Sequence, residues 1–398
     1  MNFLLVSDVY PPVNVSSSIH IQDLANALIN RNHSVNIITL SPSQKKFLTV
    51  SQNGKLKIFR IKTLNHKKHN FIFRFFAEFS MPFLMMIAFR LYKINFPKIH
   101  GVIWYSPSIF FGPFIKFLKK KNMCRSYLIL RDIFPQWLVD IDVISNKSFA
   151  FNILKKVELY QYTVANVIGV QSFNNLDYIK KYTSKGQSIE VLNNWLGNLK
   201  SQKSPAYVLN TLNTKFKNKI ILIYSGNMGL AQDVYKLLQF VKLFENDNRF
   251  GFVFVGRGSE FNNIKEIIDK ERFLNLLLFN EISPRQLRDL YSKCHIGLIA
   301  LDHRHNSHNI PGKFLSYIQS GLPVIAFINK GNDLLGLIKN NRVGFATSNV
   351  DVLDMKKKCL NFMSSIKKNP DVKKRCRKLF NSLYDPKKIS KQIERHFK

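Results

Sequence analysis

The chain has 398 residues, 45% of them hydrophobic, which is enough for two domains with buried cores and too apolar for a disordered polypeptide. Lys and Arg number 60 against 25 Asp and Glu, and a formal net charge of +35 attracts polyanions such as nucleic acid or the anionic face of a membrane. The basic residues are spread along the whole chain, with no RNP-type aromatic motif, zinc-finger spacing or basic zipper. That argues against nucleic acid and for a membrane surface and an anionic substrate. Cys124, Cys294, Cys359 and Cys376 have no CxxC spacing and read as reduced, mostly buried thiols of a cytosolic protein.

Strand and helix signals alternate from the start. Phe3–Val6 reads as a core strand, not as a leader peptide. Ile19–Asn30 is helical, with Ile21, Leu24, Ala25 and Leu28 on one face, and Val35–Leu40 and Lys57–Ile61 are strands. Phe71–Lys93 is rich in Phe and Met. Its longest charge-free run, Phe79–Phe89, is far shorter than the roughly 20 residues of a spanning helix. With Lys67, Lys68 and His69 ahead of it, segment 67–94 reads as a basic, aromatic element lying in a membrane interface. The alternative is an internal helix packed on the sheet. Pro82 predicts a kink.

Val102–Tyr105 and Tyr127–Leu130 follow as strands, then helix Phe149–Ala165, strand Val167–Val170, helix Asn174–Lys181 and strand Ile189–Leu192. Asn193–Lys219 reads as a polar interdomain linker. Alternation restarts with strand Ile220–Tyr224, helix Gln232–Leu243, strand Phe252–Val255, helix Phe261–Asp269, strand Leu276–Leu278, helix Pro284–Lys293 and strand Ile296–Ala300. A helix after Pro311 and strand Val324–Phe327 complete it. Two doubly wound, parallel Rossmann-like halves are expected: 1–195 and 196–375, with a C-terminal helix over 376–398 that returns to the first domain or packs outside.

In open parallel sheets, ligands bind beyond the carboxyl ends of the strands, so the loops that follow strands matter most. Asp8 ends the first strand, and Ser16 and Ser17 precede a helix; all three are candidates for holding a substrate, while Ser18 serves equally well as an N-cap. Asp132, after strand Tyr127–Leu130, stands between Arg131 and apolar residues and is the candidate catalytic acid or acceptor-orienting group. Its other reading is an ion pair or a helix cap. In the second half, Gly226, Asn227 and Gln232 follow one strand, and Gly256, Arg257 and Gly258 follow the next. Glycines let backbone approach a ligand closely, and the two pairs together indicate nucleotide binding. No G-x-x-x-x-G-K-[ST] run occurs, so a P-loop is not indicated.

The most informative stretch is His303–Phe327. A His-rich loop leads into Pro311 and Gly312, which open a short helix carrying Phe314, Leu315 and Ile318 to a core, and Gly321 ends it. Free N–H groups at the helix start, the helix dipole and the early cation Lys313 make a place for an anion, read here as the diphosphate of a nucleotide sugar. His303, His305 and His308 beside Asp302 serve as phosphate or sugar contacts or as a plain solvated loop; a metal site needs a convergence that a loop does not guarantee.

Three segments carry a family resemblance: Arg131–Trp137, Tyr224–Asp233, and His308–Tyr317 with Gly331-Asn332-Asp333. The chain resembles the GT-B glycosyltransferases of the retaining family-4 type. More narrowly, it resembles the bacterial O-antigen and capsule branch that includes N-acetyl-L-fucosamine transferases. The resemblance implies two Rossmann-like domains facing across a cleft, a UDP-sugar held by the second, and an undecaprenyl-diphosphate-linked saccharide acceptor held by the first. It implies no cofactor, no metal and no nucleic acid, and a cytoplasmic protein peripheral to an anionic inner membrane. Transfer is expected with retention, the leaving phosphate helping to deprotonate the acceptor hydroxyl.

The chain also departs from that pattern. Where many relatives carry two glutamates eight positions apart, it has His308 and Ser316. The usual Arg and Lys after the second domain's first strand are Asn227 and Gln232, and the usual Gly-Gly of the first loop is the Val13–Ser18 region. Lys313 and Arg257 are therefore expected to supply the charge facing the diphosphate, with His308, Asn309, Gly312 and Ser316 around the donor. Two competing functions remain on sequence grounds: a nucleotide-sugar epimerase of the same fold, and a basic nucleic-acid-binding protein.

Overall fold

Short runs of β-branched and aromatic residues, buried on both faces, form the strands, and helices cover them. The computed structural model describes residues 1–398 apart from 14, 65–70, 107, 141–143, 199–200, 303–309, 349–350 and 369–370, and apart from the side chains of 71–72, 137, 140, 352 and 367–368. The chain forms two units, Met1–Gly197 with Asp385–Lys398, and Asn198–Tyr384.

The first unit holds eight strands: β1 Asn2–Ser7, β2 Ser34–Leu40, β3 Leu48–Asn53, β4 Leu56–Ile61, β5 Gly101–Ser106, β6 Arg125–Leu130, β7 Val167–Val170 and β8 Ser188–Val191. Their order is β3-β4-β2-β1-β5-β6-β7-β8. All neighbours are parallel except β3, which pairs antiparallel with β4 through the turn at Gly54. The sequence reading missed this hairpin because β3 is polar and largely exposed, with no core-facing alternation to mark it. The second unit holds six parallel strands: β9 Ile220–Asn227, β10 Phe250–Arg257, β11 Leu276–Asn280, β12 Ile296–Ala300, β13 Val324–Phe327 and β14 Gly344–Thr347, in the order β11-β10-β9-β12-β13-β14.

Two differences from the expected layout have plain causes. The stretch read as a linker contains helix Ala206–Lys215, whose Val208 and Leu212 are buried in the second unit. Helix Val372–Leu383 also stays with the second unit, where Tyr384 packs edge-on against Phe314. The return to the first unit thus starts at Asp385. Helix Pro386–Glu394 then places Ile389 and Ile393 in the core with Phe3, Leu5, Leu24 and Leu28.

Helix Phe71–Leu91 is continuous through Pro82. Its inner face, Ala77, Met81, Met85, Ala88 and Phe89, is fully buried. Among the described residues no helix is long and apolar enough to cross a membrane.

Candidate functional sites in the two units

In the second unit, β9 and β10 run two to three residues further than their apolar cores. They stay paired through Gly226↔Gly256 and Asn227↔Arg257. A Cβ on Gly256 would stand 1.9 Å from the Gly226 carbonyl oxygen, so this close pairing needs glycine. Gly226 itself sits at φ +115, and a Cβ there would meet Cε of Lys313 at 3.9 Å. Gly226, Asn227, Gly256 and Arg257 are therefore strand ends, and Gly226 lies beside the lysine.

Helix Gly312–Ser320 starts just after Pro311 and ends at Gly321, in the left-handed conformation at φ 82. Phe314, Leu315, Tyr317 and Ile318 are buried, which fixes the helix and leaves Lys313 on the remaining face. The Lys313 ammonium nitrogen is buried and has no hydrogen-bond partner among the described residues. It stands 3.6 Å from the centroid of the Tyr224 ring. That ring is held in turn: the Tyr224 hydroxyl donates to the Asn227 carbonyl at 2.5 Å, and the ring meets Phe254 at a tilt, 5.5 Å between centroids. Burial pushes the Lys313 amine well below its ordinary pKa. A buried cation with no acceptor is costly, and an arriving anion would relieve that cost.

The neighbouring candidates are less free. The Asn227 side-chain amide donates to Oε1 of Gln232 at 2.7 Å, and the Gly229 N–H reaches the same oxygen at 3.2 Å. Arg257 is exposed and pairs with Glu281 at 3.1 Å, so its charge is already partly answered. The Ser316 hydroxyl lies 3.5 Å from the Gly312 carbonyl on its own helix. Gly312 is exposed and has open space where a Cβ would point. Asn332 caps helix Asp333–Asn341, accepting from Leu334 N–H at 3.0 Å. His303, His305, His308 and Asn309 lie outside the described residues.

The aromatic support around Lys313 was not singled out from sequence. Ser225 Oγ and Tyr291 OH are 2.7 Å apart, and the Tyr317 hydroxyl accepts from Ser225 N–H at 2.9 Å. These buried polar bonds fix the end of β9 on which Tyr224 sits. Replacing Tyr224 by Leu removes the ring beneath the ammonium. A donor KM raised about 3- to 30-fold is expected, with Tyr224→Phe much closer to wild type; steady-state kinetics over a donor range checks it.

In the first unit, the ends of β1, β5 and β6 carry Asp8, Tyr105 and Arg131–Asp132. Arg131 is buried, its guanidinium 5.8 Å from the Tyr105 ring centroid and 5.7 Å from that of Trp195. His20, on the buried face of helix Ser16–Ile29, lies 3.0 Å from the Tyr105 hydroxyl. Burial and then the Arg131 charge push its imidazole down to about 3, so it stays neutral. The Trp195 indole donates to the His20 carbonyl at 2.7 Å.

Asp132 is half-buried; burial raises its pKa and Arg131 pulls it back. The charges of both Asp132 and Asp8 bear on Tyr105, so the structure gathers these two candidates around one phenol. Asp8 also accepts from the Ser7 hydroxyl at 3.4 Å. Ser16 and Ser17 form the first turn of the helix, with Val15 at the N-cap, so Ser18 is not the cap. Ser16 is exposed, whereas the Ser18 hydroxyl is buried with no partner among the described residues. The three-residue aromatic and histidine cage of His20, Tyr105 and Trp195 escaped sequence reading because its members are 85 or more positions apart. The four cysteines are free, with Cys124 half-buried and the rest buried.

Comparison with known proteins agrees with this layout. Residues 212–379 match the family described as glycosyl transferases group 1. The matched stretch lies within the second unit, Asn198–Tyr384. A probable glycosyltransferase WbjE of Pseudomonas aeruginosa is 21% identical over 219 residues, or 55% of this chain. The match spans about half of that relative, 54% of its length. Among solved structures, sucrose-phosphate synthase from Thermosynechococcus elongatus superposes with a TM-score of 0.71 at 15% identity, covering 100% of this chain and 98% of that one. A trehalose-6-phosphate structure from E. coli bound with UDP-2-fluoro glucose gives 0.72 at 12% identity, covering 100% and 99%. The two parallel α/β units are the GT-B fold.

Proposed function

We propose that this chain transfers a sugar from a UDP-sugar to a saccharide carried on undecaprenyl diphosphate, with retention, in bacterial O-antigen or capsule assembly. The donor is held by the second unit and the acceptor by the first. One observation carries the donor half: a buried ammonium group, unpartnered among the described residues, on the first turn of helix Gly312–Ser320 and beside the glycine end of β9. Helix N–H groups and a desolvated cation stabilise the charge that builds on a leaving diphosphate. The group 1 domain match over residues 212–379 supports the same reading. So does the fold's likeness to a structure that binds UDP-2-fluoro glucose.

For the acceptor half, Asp132 orients and polarises the incoming hydroxyl, with Asp8, Ser16 and Ser17 as further contacts. UDP-N-acetyl-L-fucosamine is the first donor to try, given the resemblance of Arg131–Trp137 and His308–Tyr317 to that branch. A thermal-shift screen of the purified chain against UDP, ADP, GDP and a panel of UDP-sugars tests the donor. Stabilisation by UDP of several degrees at ligand well above Kd is expected, following mass action. No shift with any nucleotide would sink the proposal, and sugar release without an acceptor would shift it to the epimerase.

A further inference from the structure

Helix Phe71–Leu91 is apolar on two opposite faces, and the core uses one of them. The outer face shows Phe76, Phe79, Phe83, Ile87 and Leu91, spaced 3, 4, 4 and 4 residues apart, so they line up along one side. Phe76 is 62% and Leu91 69% exposed, and the three between them are each more than two-fifths exposed. Along the stripe the Phe79 and Phe83 rings meet at a tilt, 5.4 Å apart, and the half-buried Phe75 ring stacks beside Phe79 at 6.2 Å. An apolar strip of this length on a surface marks a place that meets another apolar phase.

Charge says which phase. Arg90 lies three residues past Ile87 and seven past Phe83, on the stripe's own face, exposed, and Lys93 follows it. Lys121 donates to the Ile94 carbonyl at 2.8 Å, which brings the lysine-rich end of helix Gly112–Asn122 to the same spot. On the other side of that helix, Lys116, Lys119 and Lys120 line a groove of about 390 Å³ with Tyr160 and Thr163. The inner faces of these two helices share one core cluster, which packs the helices side by side. A second copy of the chain would set +35 against +35. Phosphate headgroups over acyl chains complement both parts.

We infer that this outer face inserts into the headgroup boundary of an anionic lipid bilayer, with Phe76, Phe83 and Leu91 as the deepest side chains and Arg90 and Lys93 on the phosphates. The inference rests on the lipid-linked acceptor for its purpose, but its test does not need transfer activity. The full chain is floated with vesicles of equal parts phosphatidylglycerol and phosphatidylcholine, and with phosphatidylcholine alone. Binding to the anionic vesicles, and at least about tenfold weaker binding by the variant Phe76→Ser/Phe83→Ser/Leu91→Ser, is expected. Tryptophan emission of Phe83→Trp should shift to the blue on adding anionic vesicles, while that of Val50→Trp, on β3, should not. This second readout decides if the triple variant fails to fold. Vesicle binding unchanged in the triple variant, no binding by wild type, or a stripe that holds a dimer together instead would overturn the inference. Vesicle binding intact with no nucleotide recognised by the chain would remove the transferase reading and leave the surface standing.

Discussion

Lys313→Ala is expected to weaken UDP binding about 10- to 100-fold in calorimetric titration. A hydrogen bond to a charged group contributes roughly 1.5–3 kcal/mol, and each 1.4 kcal/mol is about tenfold. The unliganded protein should not lose stability, because the substitution removes a buried amine that has no acceptor. The pH dependence has a definite sign. Burial holds the amine well below 10.5 in the free protein. Between that lowered value and 10.5 the free protein holds the amine neutral, and a bound diphosphate recharges it. Binding then takes up a proton, so UDP affinity falls as pH rises through this window. Unliganded stability runs the other way, rising with pH there, because the unfolded chain binds the extra proton. Titrations in buffers of different ionisation enthalpy read the proton uptake, which the alanine variant should lack. UDP affinity equal to wild type in that variant would remove Lys313 from the donor site.

Asp132→Asn should leave UDP binding within about twofold of wild type and lower the rate of transfer by about 10²- to 10⁴-fold, the span of a lost acid–base group. The carboxyl is raised by burial and lowered by Arg131, with the first effect the larger. As an ionised group acting on the acceptor hydroxyl, it works above its raised pKa, so activity should fall as pH drops through that value. The asparagine variant should show a flat acid limb. A transfer rate near wild type would return Asp132 to the role of an ion-pair partner of Arg131.

The parts legible in sequence were those with local signals. The buried strands Val167–Val170, Ile296–Ala300 and Val324–Phe327 and the helix Pro284–Lys293 fall where their apolar runs and caps lie. The placement of Lys313 on a short helix was legible for the same reason, since Pro311, Gly312 and Gly321 bracket it. What sequence did not show was what the helix meets. Tyr224 reads as one more apolar residue of a strand, and its role under the lysine comes from the pairing of β9 with β10. Asn227 and Gln232 read as donors open to a ligand, yet the fold turns them toward each other. Arg257 was expected to face phosphate, but Glu281, 24 positions on, reaches it. The outward face of helix Phe71–Leu91 needed side-chain exposure, because a helix with two apolar faces gives a weak periodic signal.

The return of Asp385–Lys398 sets an order of assembly. Residues Asn198–Tyr384 form one uninterrupted body. The first unit is closed by residues 385–398, made after that body: Ile389 and Ile393 fill its core, the Gln392 amide donates to the Val191 carbonyl at 2.8 Å, and Glu394 reaches Arg31 at 2.5 Å and His33 at 3.2 Å. During synthesis the domain that emerges first is therefore the one that must wait, its sheet partly uncovered, until residues 385–398 have followed. The half made second is complete before the half made first.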